Sequence, residues 1–295
     1  MIGIVQQRIK EHVADIQEHR VTELFSKLPA GKMLRSKLIL TIAPTKAGVE
    51  LASIVELIHA ASLLHDDVID DATKRRGVDS INAIYGNKSA IMLGDILYSK
   101  AFFELTKLAD PIPAIVSNAV MLLSCGELLD VELAQSFNPN KEHYYDMIYK
   151  KTGSLIEAAA KAAAVLAGED EEQFATYGRN LGIAFQIVDD ILDITQDSKK
   201  LGKPAMNDFK EGKTTLPFIY LYEALDGEGK AKLRSLHGKD LTEEEIDWLR
   251  ESMIKSGAIE RTKEDVRTLA NVAMQSVRDN QKLHRIMQSL IERTY

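Results

Sequence analysis

A single cysteine, Cys125, is the only thiol in the 295-residue chain. That excludes an intramolecular disulfide framework and a thiolate zinc cluster. Placed just after Met121-Leu122-Leu123, it is expected to be a small buried hydrophobe in a reducing compartment. Proline and glycine are also scarce, at 7 and 17 residues. This is too few for the many tight connections of a strand-rich fold, and no alternating pattern bounded by hairpin turns is present. Basic residues do not outnumber acidic ones: 37 Lys and Arg stand against 44 Asp and Glu, for a formal charge of −7. Nothing therefore draws the whole chain to nucleic acid or to an anionic membrane, so any anionic ligand must be held locally. No stretch shows the roughly 18 consecutive apolar residues of a membrane span, and no basic-then-apolar leader is visible. A cytoplasmic protein without an integral membrane segment is expected.

What the chain does have is helix-forming material. Ala, Leu, Ile, Glu and Lys dominate, 45% of residues are hydrophobic, and apolar positions recur at helical spacing almost throughout. The first such stretch runs from Ile2 to Leu28, where Pro29-Ala30-Gly31 interrupts it. Further helices are predicted over about 33–43, 47–71, 88–109, 112–136, 141–167, 170–196, 213–226, 241–255, 257–277 and 280–293. Short polar links join them, at Ala72 to Gly77, Asn138 to Asn140 and Ser198 to Gly212. None reads as a domain linker, and no solenoid repeat is present. The expected fold class is all-α, a single-domain helical bundle over 1–295 around a central cavity.

Two of these helices end in carboxylates, where a helix favours them least. The run Ile54 to Leu64 leads into His65-Asp66-Asp67-Val68-Ile69-Asp70-Asp71, and Gly182 to Val188 leads into Asp189-Asp190-Ile191-Leu192-Asp193. The negative pole of the helix dipole opposes each anion there by about 0.3–1 kcal/mol, and the anions repel one another. At 3.6 residues per turn, Asp66 shares a face with Asp70 and Asp189 with Asp193, while Asp67 and Asp190 lie at the edges. Each helix end thus offers a claw of hard oxygen ligands with room for other partners. That suits Mg²⁺, which keeps part of its shell for water or substrate phosphate. One such motif alone would be read as a solvated acidic face; two, each after an apolar stretch and before a basic one, are not. The alternating pattern of a calcium loop is missing.

Cations cluster beside both claws. Thr73-Lys74-Arg75-Arg76-Gly77 follows the first, and Lys203 follows Gly202 beyond the second. Upstream, Gly31-Lys32-Met33-Leu34-Arg35 sets Lys32 and Arg35 one turn apart at an expected helix start, where backbone N–H groups also favour an anion. Lys151-Thr152 and Lys213-Thr214 each place a cation beside a hydroxyl. Arginine grips phosphate in bidentate fashion and lysine as a point charge, so the set can clamp two diphosphates, one through metal and one without it.

At these residues the chain resembles the trans-isoprenyl diphosphate synthases, or polyprenyl synthetases, from Gly31-Lys32-x-x-Arg35 to Lys213-Thr214-Thr215-Leu216-Pro217. The resemblance implies an all-α prenyltransferase, a homodimer and three Mg²⁺ ions. It makes Asp66, Asp67, Asp70, Asp189, Asp190 and Asp193 the metal face. It assigns Lys32, Arg35, His59 and Arg76 to isopentenyl diphosphate, and Arg75, Lys151, Thr152, Gln186, Lys203 and Lys213 to the allylic diphosphate. His59 precedes Asp66 by seven residues, two turns along the same face, which agrees with its assignment. In one respect the chain departs from the family: Ser36 follows Arg35 where proline is common.

The implied reaction ionises the allylic diphosphate, with Lys151, Lys203 and Lys213 facing the charge that develops. The allylic cation then alkylates isopentenyl diphosphate, and a proton leaves, the departed diphosphate being the expected acceptor. Product length is argued from the helix before the first claw, because one turn of about 5.4 Å is close to an isoprene unit. Ala61 and Ser62 are small where Phe or Tyr would stop growth, and the spacing from Asp67 to Asp70 lacks the insertion of bacterial farnesyl synthases. A long-chain all-trans product of the octaprenyl type is expected, destined for quinone side chains or another lipid, with Phe102, Phe103, Met121 and Leu122 as candidates for the tunnel floor. The alternatives are a geranylgeranyl or farnesyl synthase, a terpene cyclase and a non-catalytic subunit of a heteromeric synthase. A cyclase has no need of the metal-free cations Lys32, Arg35 and Arg76, and a partner subunit or scaffold has no need of six intact aspartates.

Overall fold

The structure, a computed structural model, describes residues 1–29, 31–195 and 206–294. Helices, in order, are α1 (Ile2–Ala14), α2 (His19–Phe25), α3 (Leu34–Ile42), α4 (Lys46–Ile69), α5 (Ile81–Tyr85), α6 (Asn87–Leu105), α7 (Ile112–Leu133), α8 (Lys141–Ile148), α9 (Ser154–Ala167) and α10 (Glu171–Thr195). After these come α11 (Asn207–Lys210), α12 (Leu216–Ala224), α13 (Gly227–Leu236), α14 (Glu243–Ser256), α15 (Ala258–Ser276) and α16 (Gln281–Ile291). The all-α expectation holds. The one sheet among the described residues is a hairpin of two-residue strands, β1 (Lys74–Arg75) and β2 (Val78–Asp79). Contacts group the chain into two compact units, Met1–Val120 with Leu155–Ala175, and Met121–Ser154 with Thr176–Tyr295.

In the first unit α4 is the central element. Thr45 starts it, its hydroxyl accepting the Gly48 N–H at 3.1 Å, a side-chain cap for a backbone donor that otherwise has no helical partner. Leu51, Ala52, Ile54, Val55, Leu57 and Ile58 are fully buried against α1, α3 and α6. Each large apolar side chain so buried contributes about 1.5–3 kcal/mol relative to exposure. A polar network runs through this apolar packing. His12 on α1, with no exposed surface, places Nε2 at 2.9 Å from Glu50 and 3.2 Å from the Ser53 hydroxyl on α4, and Nδ1 at 3.8 Å from Glu104 on α6. Arg8 balances Glu50 at 2.7 Å, and Lys100 and Lys107 balance Glu104 at 2.6 and 2.7 Å.

In the second unit α12 is buried through Leu216 to Leu221 and packs on α14 and α15. Phe209 of α11 stacks on Phe218 with ring centres 4.1 Å apart. Tyr177 of α10 donates its buried hydroxyl to the Leu283 carbonyl at 2.8 Å, fixing α16. A reciprocal capping box of Thr242 and Glu245 starts α14.

Several expectations are corrected. The first long helix is two, α1 and α2, broken where Gln17 takes a φ of 58°; no proline or glycine marks the break. Residues 227–236, for which no helix is predicted, form α13, capped by Asp226 on the Gly229 N–H at 2.8 Å. The link from Ala72 to Gly77 contains β1, and the Ser198–Gly212 link contains α11. Cys125 is exposed rather than buried. By length and composition α4 and α7 could each cross a membrane, where no such stretch was expected. Within those windows 61% of α4 and 39% of α7 is buried, and α4 carries Glu56, His59, Asp66 and Asp67.

Candidate active site

The first claw closes α4. Asp70 is its C-terminal cap residue, and Asp67 is almost fully buried. Burial raises the Asp67 pKa, against which Arg75 sets a two-pronged grip, Nε and Nη2 each at 2.7 Å from Oδ1. Arg75 reaches it because the chain reverses at once in the β1–β2 hairpin. Arg76 and Gly77, at φ 53° and 81°, form its left-handed central pair, the conformation of a type I′ turn. Arg76 folds toward the segment before α3: a methyl group on Gly31 would lie 3.2 Å from Arg76 Nη1.

His59 shows which cations gather here. Its pKa is held well below the ordinary histidine value, first by burial and then by Arg35, Arg76 and Arg75. The ring is therefore neutral near pH 7, with one N–H to donate. Arg35, in the first turn of α3, has its own pKa lowered by burial, with Glu56 and Asp66 supporting its charge. The structure thus brings Arg35, His59, Arg75 and Arg76 together beside Asp66 and Asp67. Lys32 is placed differently from the expectation. Met33 caps α3 at a left-handed φ of 54°, so Lys32 precedes the helix, exposed, and is not one helical turn from Arg35. Ala61 and Ser62 are buried. The proposed floor residues do not lie deep in the fold: Phe102, Phe103 and Met121 are exposed and Leu122 is half-buried.

In the second unit a cavity of about 110 Å³ is lined by Asp130, Lys151, Thr152, Gln186, Asp190, Asp208 and Lys213, among others. Asp190 sits at its wall with a pKa pushed up to about 8 by burial, with Asp208 and Asp189 adding to the effect. Hydrogen bonds from the Tyr144 hydroxyl and from Gln186 Nε2, at 3.0 Å, oppose that rise. Thr152 donates in turn to Gln186 at 3.0 Å, so two of the expected diphosphate ligands and one expected metal ligand form a single chain. Asp193 is buried and its carboxylate accepts the Asp208 N–H at 3.1 Å. Asp189 pairs with Arg293 at 2.8 Å. A buried carboxylate raised in this way, beside Asp189, Asp193 and Asp208, belongs to a donor set of hard oxygens that fits a divalent cation.

Lys151 lies in a π-helical turn, Tyr149–Gly153, inserted between α8 and α9. Such a turn widens the helix by one residue and is frequent at functional positions. Glu127 and Asp130 of α7 hold its ammonium at 2.8 and 2.6 Å; burial opposes the charge, but the two carboxylates outweigh it and raise the lysine pKa. Gly126 makes this approach feasible, since a methyl group there would lie 2.2 Å from the Lys151 backbone nitrogen. Lys213 lines the same cavity and pairs with Glu211 at 2.9 Å. Lys203 lies outside the described residues.

Asp208, Glu127, Asp130 and Arg293 contact the expected site residues although no motif announces them. Asp208 and Arg293 stand far along the chain from the second claw, and only folding reveals their proximity. Glu127 and Asp130 did carry a signal, as two acids one turn apart on a largely apolar helix.

Buried aspartates at two helix ends, each accompanied by arginine or lysine, form the kind of site that suits a divalent cation and a diphosphate. Comparison with known proteins narrows this. The Polyprenyl synthetase family model matches residues 15–253, and the chain belongs to that family, a family of prenyl-transferring enzymes. It is 40% identical over 231 residues to solanesyl-diphosphate synthase 1, mitochondrial, of Oryza sativa subsp. japonica, covering 77% of this chain and 53% of that one. It therefore spans about half the length of that relative. Octaprenyl diphosphate synthase of Escherichia coli is 32% identical over 283 residues, covering 93% of this chain and 88% of that one. The crystal structure of octaprenyl pyrophosphate synthase from Helicobacter pylori superposes with a TM-score of 0.94 at 44% identity, over 98% of each chain.

Proposed function

We propose that the protein condenses isopentenyl diphosphate with an allylic diphosphate to make a long-chain all-trans polyprenyl diphosphate. The observation that carries this reading is the neighbourhood of His59. Two guanidinium groups, Arg35 and Arg76, lie near a neutral imidazole within two turns of the Asp66–Asp70 claw, while Arg75 grips Asp67 of the claw itself. A cationic pocket beside, and distinct from, a metal claw is what a second diphosphate requires, and a cyclase that uses a single diphosphate does not.

In this reading Arg35, His59, Arg76 and the exposed Lys32 bind isopentenyl diphosphate, while Lys151, Thr152, Gln186, Lys203, Lys213 and Arg75 address the allylic diphosphate. Asp66, Asp67, Asp70, Asp189, Asp190 and Asp193, joined by Asp208, would hold three Mg²⁺ ions. Bound Mg²⁺ supplies positive charge to the departing diphosphate. Lys151 remains protonated because Glu127 and Asp130 stabilise its charge, so it meets developing negative charge without reorganisation. Ala61 and Ser62, small and buried one turn before the first claw, set no bulky side chain against a growing chain, and the likeness to octaprenyl and solanesyl synthases supports the same product class.

The whole chain, residues 1–295, acts as one catalytic domain. A homodimer is part of the proposal, supported by exposed apolar side chains on α6 and α7, among them Met92, Phe103, Met121 and Leu128. So is a cytoplasmic location, with which a lone, exposed thiol agrees. The deciding experiment incubates the protein with isopentenyl diphosphate, each short allylic primer and Mg²⁺, and sizes the products. Products no longer than geranylgeranyl diphosphate would overturn the long-chain reading, and no condensation with any primer would overturn the reaction.

A further inference from the structure

Helix α3 begins without a cap of its own. Met33 stands at the cap position with a left-handed backbone and a side chain that accepts no hydrogen bond, leaving the first-turn N–H groups to find partners elsewhere. One of them is satisfied from another helix. The Ser36 N–H donates to Glu56 Oε1 at 3.2 Å, and the Ser36 hydroxyl donates to the same oxygen at 2.8 Å. Ser36 is fully buried and Glu56 nearly so. A buried carboxylate is costly unless hydrogen-bonded and balanced by charge. Glu56 receives both: two donors from Ser36, and the charge of neighbouring Arg35, which it helps to keep ionised against burial. Arg35 Nε is itself buried with no hydrogen-bond partner among the described residues, so its guanidinium is positioned by charge and by the helix that carries it. Glu56 also precedes His59 by one turn of α4.

We infer that Glu56 and Ser36 are positioning residues for the metal-free diphosphate pocket: Glu56 caps α3 from α4 through Ser36 and so fixes Arg35 against His59. The family's common proline after this arginine has neither the N–H nor the hydroxyl, so a chain with proline here cannot form this clasp. The inference rests on the reading of Arg35 and His59 as isopentenyl diphosphate ligands.

The test compares wild type with Glu56→Gln, Ser36→Ala, Ser36→Pro and the double variant S36A/E56Q. KM for isopentenyl diphosphate and KM for the allylic primer are measured separately, with melting temperature as a control. Independently, binding of inorganic pyrophosphate is titrated calorimetrically with EDTA present. Glu56→Gln keeps the shape but loses the charge; it is expected to raise KM for isopentenyl diphosphate about tenfold and to weaken metal-free pyrophosphate binding similarly, while KM for the primer changes less than about twofold. Ser36→Ala is expected to act in the same direction more weakly, and the double variant to be no worse than Glu56→Gln alone, because both remove one interaction. Unchanged pyrophosphate binding in Glu56→Gln, or a parallel rise in both KM values with a lowered melting temperature, overturns the inference. Failure of wild type to condense the substrates overturns the proposed function instead, and the pyrophosphate titration still decides the role of Glu56.

Discussion

Gly126→Ala adds one methyl group at the point where α7 touches the π-helical turn. That methyl would lie 2.2 Å from the Lys151 nitrogen and 2.7 Å from both the Lys150 carbonyl carbon and Lys151 Cα. All three atoms are backbone, so no flexible side-chain tip can yield. Restoring an ordinary separation near 3.4 Å requires a displacement of about 1.2 Å, the difference 3.4 − 2.2. Overpacking of this kind costs about 1–3 kcal/mol. The same displacement separates α7 from the turn, and α7 carries Glu127 and Asp130, which hold the lysine at 2.8 and 2.6 Å. A misplacement near 1 Å in a catalytic group can cost about 100-fold in rate. The expected result is therefore a fall in kcat of about 30- to 100-fold with a soluble, folded enzyme whose melting temperature drops by several degrees, read by steady-state condensation kinetics and thermal unfolding. A variant with kcat within twofold of wild type would show that the contact with Gly126 does not position Lys151.

Three further outcomes are expected. Ala61→Phe puts a bulky ring at a buried position before the first claw and should shorten the product by several isoprene units; an unchanged product distribution by chromatography removes Ala61 from the length-setting wall. Leu128→Glu places a charge in the exposed apolar face of α7 and should shift the protein from dimer to monomer in analytical ultracentrifugation; a dimer of unchanged affinity would place the interface elsewhere. His12 is buried and its pKa is lowered, first by burial. Between its lowered folded value and the unfolded value of about 6.5 the unfolded chain binds more protons, so stability is lost as pH falls through this window. The melting temperature should fall between pH 7 and pH 5, more steeply in wild type than in His12→Gln; equal slopes would remove His12 as the cause.

The two claws were legible because Asp-Asp-x-x-Asp after a long apolar stretch contradicts both the helix dipole and charge repulsion, a conflict visible in one dimension. His59 was legible by periodicity, and the structure brings it beside Arg35, Arg75 and Arg76. The hairpin was not. Its turn uses Arg76 at a φ of 53°, where Asn or Asp would have signalled the left-handed position. The break between α1 and α2 was hidden for the same reason, Gln17 being an unremarkable residue in an unusual conformation. Lys32 and Arg35 are one turn apart only if residues 32–35 are helical; the left-handed backbone of Met33 ends that geometry. Asp208 and Arg293 carry no local pattern, because what matters about them is the distant carboxylate each one faces.

The ionic network of the first unit bears on how α4 keeps its place. A helix so rich in Leu, Ile and Ala presents nearly the same profile after a slide of one turn, about 5.4 Å, and grease alone discriminates weakly between such positions. Glu50 and Ser53 remove that freedom. Any slippage past α1 would draw them away from Arg8 and His12 and leave the buried imidazole without its partners, at a cost of about 1–3 kcal/mol for an unsatisfied buried polar group. The network thus works as a vernier: it selects one setting among near-equivalent ones, and so sets the height at which the aspartates at the far end of α4 emerge.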